Sequence, residues 1–133
     1  MSEPTWEQIT YFRPDEFRCR CCGEERMSLS FILTLDDLRT RLGFPLHISS
    51  GYRCPWHNDQ VSTTGFNGPH TTGRAADVLI SGEDAFRLVT QSSLGGWFTG
   101  IGINQKGPHD KRFIHLDDLT APDHPRPRLW SYA

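Results

Sequence analysis

Ala75-Ala76-Asp77-Val78-Leu79-Ile80 is a short apolar run of the kind that fills a buried strand, and Asp77 is the anomaly inside it. A second run, Arg112-Phe113-Ile114-His115-Leu116-Asp117, also reads as a strand and carries His115 at its centre. Strand interiors seldom accept an ionisable group without a partner, because burying an unpaired charge is costly. A shared metal satisfies both. His70 precedes Asp77 across Thr71-Thr72-Gly73-Arg74, and a turn at Gly73 folds its imidazole back beside the carboxylate. Two histidines and one carboxylate leave a fourth tetrahedral position for water, the arrangement of catalytic rather than structural zinc, whose bound water ionises near neutral pH.

Outward from these strands, Phe31, Leu35, Leu38 and Leu42 recur at helical spacing and predict a helix from about Ser28 to Leu42, with Ser28 or Ser30 as cap and Gly43 as stop. Leu46-His47-Ile48-Ser49 alternates as a half-buried strand does and leads through Ser50-Gly51-Tyr52-Arg53 into a short helix from Pro55. Ser62 to Gly73 reads as a long loop, Glu83 to Leu94 as a second long helix and Thr99 to Asn104 as a further strand. The tail, Ala121 to Ala133, carries three prolines and reads as an extended segment docked by aromatic anchors. This order predicts an α+β fold, a small antiparallel sheet with flanking helices.

With 133 residues, the chain predicts a single domain over 1–133 with its core at about 17–132. Its 14 Lys and Arg against 16 Asp and Glu give a formal net charge of −2, which leaves no broad basic field for nucleic acid. No run of about 18 apolar residues is present to span a membrane, and Met1 to Tyr11 has neither the basic start nor the apolar core of a signal peptide. The expectation is cytoplasmic synthesis, with any action outside the cell depending on release. Cys19, Cys21, Cys22 and Cys54 are not the even spread of a secreted disulfide framework. A structural zinc site that includes Cys21, one disulfide, and buried thiols are all open to them, and the short Cys-x-Cys-Cys spacing fits no standard zinc knuckle well.

Taken together, Ser49-Ser50-Gly51-Tyr52-Arg53-Cys54-Pro55, His57-Asn58, Gly68-Pro69-His70-Thr71-Thr72-Gly73-Arg74-Ala75-Ala76-Asp77 and Phe113-Ile114-His115-Leu116-Asp117 resemble the zinc D-Ala-D-Ala metallopeptidases. That family includes D-alanyl-D-alanine carboxypeptidases and phage L-alanyl-D-glutamate endolysins and shares its fold with the hedgehog signalling domain. His70, Gly73, Ala75 and Asp77 fit its Ser-x-His-x-x-Gly-x-Ala-x-Asp pattern. The resemblance implies that His70, Asp77 and His115 are zinc ligands, and that Arg53 binds the substrate's carboxylate or polarises its scissile carbonyl. It runs from about Phe17 to Tyr132.

Two positions depart from the family pattern. Gly68 stands where a serine is usual, and Arg112 occupies the place near the last ligand where relatives carry an acidic or histidine general base. His109 and Asp110, beyond the Gly107-Pro108 turn, are the remaining candidates, with Asp110 favoured. His57 is a candidate substrate contact, although its place after Pro55 equally suits a local helix-start role. Asp117 either orients a ligand or ends its strand. His47 and His124 read as structural or solvated, and Trp6, Trp56, Trp97 and Trp130 read as core by default.

The function implied is that of a monomeric zinc peptidase acting on a peptidoglycan stem peptide, as a D-Ala-D-Ala carboxypeptidase or an L-Ala-D-Glu endopeptidase. Nucleic acid and membrane are not expected partners. Cytoplasmic synthesis without a signal peptide fits a phage or prophage lysin that reaches the cell wall after release. The alternative is a non-catalytic, zinc-containing binding module of hedgehog-like fold in a phage or cell-wall assembly.

Overall fold

The structure is a computed structural model that describes residues 4–133. Three helices, α1 (Leu29–Leu42), α2 (Pro55–Val61) and α3 (Gly82–Leu94), accompany five strands. The strands are β1 (His47–Ser50), β2 (Ala75–Leu79), β3 (Gly100–Asn104), β4 (Phe113–Asp117) and β5 (Arg128–Ser131). Helix α1 starts where Ser28 Oγ accepts the Phe31 N–H at 3.4 Å and stops at Gly43, as its capping residues predict.

The sheet order is β1-β2-β4-β3-β5. The first three pairings are antiparallel, but β5 runs parallel to β3, so the sheet is mixed rather than wholly antiparallel. The difference lies in the tail: a proline-rich segment expected only to dock instead places Arg128 to Ser131 in register with Gly100 to Ile103 as an edge strand. The loop predicted over Ser62 to Gly73 contains two 3₁₀ turns, Gly65–Asn67 and Pro69–Thr72.

Alternation divides the sheet's two faces, with a register shift in β1 between Ile48 and Ser50 that turns Ser50 away from the core face. Ala76, Val78, Ile101, Ile114 and Leu116 join Phe31, Ile32, Leu35 and Leu38 of α1 and Leu88 of α3 in one buried apolar cluster. On the opposite face the register draws one row across all five strands: Ser50 pairs with Asp77, Asp77 with His115, His115 with Gly102 and Gly102 with Trp130. Directly paired residues share a face at about 4.5–5.5 Å between Cβ atoms, so the fold itself sets the Asp77 and His115 side chains together. A Cβ on Gly102 would lie 2.6 Å from the Trp130 indole nitrogen. Its absence lets that ring reach across to His115, with ring centroids 5.1 Å apart.

Of the tryptophans expected in the core, Trp6 and Trp97 pack half-buried against it, while Trp56 is 72% exposed and meets only Phe66 edge-on. A seven-residue helix at the rim has no second layer to cover it.

Candidate active site

His70 reaches the polar row from the 3₁₀ turn Pro69–Thr72, which ends at Gly73 with φ +74°. A side chain at Gly73 would be strained and would strike the Arg26 carbonyl, so only glycine returns the chain into β2 at this point. The turn is also held by the Arg53 N–H, which donates to the His70 carbonyl at 3.1 Å.

Three atoms converge there. Asp77 Oδ1 lies 3.2 Å from His70 Nε2 and 3.0 Å from His115 Nδ1, and the ligand atoms of the three residues all fall within 4.8 Å of one another. The outward nitrogens are committed elsewhere: His70 Nδ1 pairs with the Gly51 carbonyl at 2.8 Å and His115 Nε2 with Asp117 Oδ2 at 2.8 Å. Each outer acceptor fixes a tautomer that turns the other nitrogen's lone pair inward. Asp117 is itself held by a two-pronged Arg126 at 2.9 and 2.8 Å, so it orients the histidine rather than merely ending the strand.

Two imidazole nitrogens and one carboxylate oxygen, each buried and each oriented from behind, fit a zinc ion that keeps an open position. In the metal-free protein the same inner positions instead face Asp77 as hydrogen-bond donors. Burial alone would raise the Asp77 carboxyl, but the His70 charge and the bonds from both histidines hold it well below the usual carboxylate range. Asp117 is likewise held low, with the Arg126 and His115 bonds outweighing its burial. His115 moves upward, because its bonds to Asp117 and Asp77 outweigh desolvation.

Beside this cluster stands Arg53, among the described residues the one guanidinium bonded to it. Its Nη2 is 3.4 Å from Asp77 Oδ2, its Nη1 3.1 Å from Asn58 Oδ1 and its Nε 3.1 Å from Ser50 Oγ. The cluster and Arg53 open into a cleft of about 830 Å³, whose far wall is built from the tail, including His124, Trp130 and Tyr132. Burial and the Asp77 charge push the Tyr132 phenol up to about 12, so it faces the cleft as an O–H donor at neutral pH.

The structure therefore brings Arg53, His70, Asp77 and His115 together. His57 sits on α2 outside the cleft wall, its N–H directed at Cys54 Sγ at 3.5 Å. His109 and Asp110 are exposed on a separate 3₁₀ turn, His109–Lys111, and neither lines the cleft. Sequence reasoning missed the wall formed by His124 and Tyr132; the spacing of Trp130 and Tyr132 on one extended segment was the available signal. His47 is exposed, as a solvated residue would be. Gly68 is no gap: a Cβ there would meet Asn58 Nδ2 at 2.6 Å and the Thr64 side chain, which occupy the room a serine would need.

A family model for peptidase M15 matches residues 10–117, a span that contains all three triad residues and Arg53. No curated protein matches the chain, and no solved structure does.

Proposed function

We propose that this chain, which belongs to the peptidase M15 family and is thus a zinc-dependent hydrolase of peptide bonds, cleaves an amide bond in the peptide stem of bacterial peptidoglycan, close to a free carboxylate of that stem. The observation that carries this reading is Arg53: a planar, two-pronged cation placed in contact with Asp77 on the cleft side of the triad. A guanidinium fits a carboxylate or a developing oxyanion equally well, and both are features of a short acidic stem peptide.

His70, Asp77 and His115 would hold a zinc ion, which would supply Lewis-acid polarisation of the scissile carbonyl and a water made nucleophilic at neutral pH. The remaining work falls to the chain. Arg53 anchors the substrate's carboxylate. Tyr132, protonated throughout the neutral range, donates a hydrogen bond to an oxygen in the cleft. His124 holds and returns the proton, as the cleft-lining titratable base outside the triad. His109 and Asp110, the candidates suggested by sequence, reach a substrate only where it extends beyond the wall described above.

Mass spectrometry of a muropeptide digest tests this reading. Products lost on chelation and restored by zinc, together with a loss of about 10²–10³-fold in kcat/KM for Arg53→Ala, are the expected result. His124→Ala, His109→Ala and Asp110→Ala assayed side by side assign the proton carrier. Bound zinc without cleavage of any stem peptide would replace this reading with the non-catalytic binding module.

A further inference from the structure

A second set of metal-ligating atoms lies on the other side of Arg53. Cys19, Cys22 and Cys54 bring their sulfurs within 4.8 Å of one another, whereas Cys21 is exposed and outside the group. Cys19 and Cys54 are buried and Cys22 is exposed at the rim, yet the three thiols converge, and the local backbone is shaped around them.

Cys19 and Cys22 belong to a tight turn, Cys19-Arg20-Cys21-Cys22-Gly23, closed by the Gly23 N–H on the Cys19 carbonyl at 2.8 Å and the Cys19 N–H on the Glu24 carbonyl at 2.7 Å. Gly23, at φ +76°, takes the left-handed position that lets the turn close. Within it, the N–H groups of Cys21 and Cys22 turn toward the Cys19 sulfur, and the Cys54 N–H joins them at 3.3 Å. Backbone N–H groups aimed at a sulfur stabilise a thiolate rather than a thiol. Cys54 arrives from the residue before α2, where its sulfur accepts the His57 N–H at 3.5 Å.

We infer that Cys19, Cys22 and Cys54 form a second, structural metal site for a thiophilic divalent ion of the zinc class, separate from the His70, Asp77 and His115 cluster. The Cys-x-x-Cys spacing of the turn and the third thiolate from a distant segment supply three of the four thiolate ligands of a closed structural zinc site; the fourth position falls to solvent, but none of the three cysteines lines the cleft, so it faces no substrate. Cys21 is only the spacer in that turn, so the crowded Cys-x-Cys-Cys spelling conceals a normal pair.

The ion fastens the N-terminal turn to the segment that carries Arg53. That segment already leans on the N-terminal turns: the Tyr52 N–H donates to the Phe17 carbonyl at 2.9 Å, and Arg20 Nη2 donates to the Ser49 carbonyl at 2.8 Å. A metal at Cys54 braces the residue adjacent to Arg53 against the same turn. None of this depends on what the histidine site hydrolyses.

The test uses the full chain purified under reducing conditions. A mercurial thiol reagent should release one zinc per chain, read with a metallochromic dye, and the same ion should remain in His70→Ala. The cobalt-loaded protein should show a thiolate-to-cobalt charge-transfer band that His70→Ala keeps and Cys22→Ser loses. Since Cys22 is exposed, that substitution leaves the core intact and reports on the ligand itself. Absence of the band in cobalt-loaded wild type, absence of mercurial-releasable zinc, or a Cys54 disulfide in the reduced protein would each overturn the assignment.

Discussion

The five residues of β4 serve two surfaces with opposite requirements. Ile114 and Leu116 point into the apolar cluster, where any side chain of suitable volume is accepted and contacts are undirected. Phe113, His115 and Asp117 point the other way, and there His115 and Asp117 are held at hydrogen-bonding distances of 3.0 Å or less on named atoms. Neighbours in sequence thus belong to two systems that share a backbone but little else. Stability resides mainly on one face and chemistry on the other, so substitutions one position apart should separate the two.

The largest separation is expected between His70→Ala and Ile114→Ala. Removing His70 should reduce peptide cleavage and metal content at the histidine site to background, with near-native folding of the metal-free chain. Ile114→Ala should cost about 2–5 kcal/mol in denaturant unfolding, yet leave zinc content and turnover of the folded protein unchanged. Cleavage surviving in His70→Ala would break the comparison from one side, and loss of metal in Ile114→Ala from the other.

A smaller effect sharpens the polar face. Asp117 touches no expected ligand position directly; it holds His115 Nε2 and is held by Arg126. Asp117→Asn keeps an acceptor for the histidine but leaves the buried Arg126 without its counter-charge. Zinc affinity should fall about 10–100-fold by competition with a chelator. The unfolding free energy should also fall, because the uncompensated guanidinium sits in a low-dielectric wall. An unchanged zinc affinity would mean that His115 is oriented by the strand alone.

How much of this was legible in the sequence follows the same division. Asp77 and His115 stood out because period-two alternation placed ionisable groups inside apolar runs, and antiparallel register then made them direct partners. The capped helix Leu29–Leu42 was legible for the same reason, since local periodicity and end signals carry it. What remained hidden is what tertiary approach decides. The parallel edge strand Arg128–Ser131 depends on a pairing with Gly100–Ile103 that no local pattern announces. His124 and Tyr132 join the cleft through that same return, while His109 and Asp110, close to His115 in sequence, sit on an exposed 3₁₀ turn outside the cleft lining. For the thiols, sequence left zinc site, disulfide and buried thiol all open; which sulfurs converge, Cys19, Cys22 and Cys54 without Cys21, is again decided by tertiary approach.

The smallest predicted effect concerns protons, and the metal should cancel it. In the metal-free protein, burial opposes the His115 charge, but the bonds to Asp117 and Asp77 prevail and hold its pKa above the ordinary histidine value. A folded-state value raised above the unfolded one contributes stability that is complete below about pH 6.5 and is lost as pH rises through the raised value. Asp77 and Asp117, both held low, contribute stability that is complete above about pH 4 and is lost only on further acidification. The chelated protein should therefore be most stable in the mildly acidic range and weaken as pH rises above it. Zinc takes the place of the Nδ1 proton, so its affinity should rise about tenfold per pH unit up to the raised histidine value; between about pH 6.5 and that value this gain offsets the metal-free protein's loss, and the loaded protein's stability should stay flat. Denaturant midpoints measured across that interval with and without chelator check this. Parallel falling curves would place the histidine proton outside the metal's path and detach His115 from the triad, whereas a flat curve with zinc beside a falling one without it ties the strand's polar face to metal binding through a single exchanged proton.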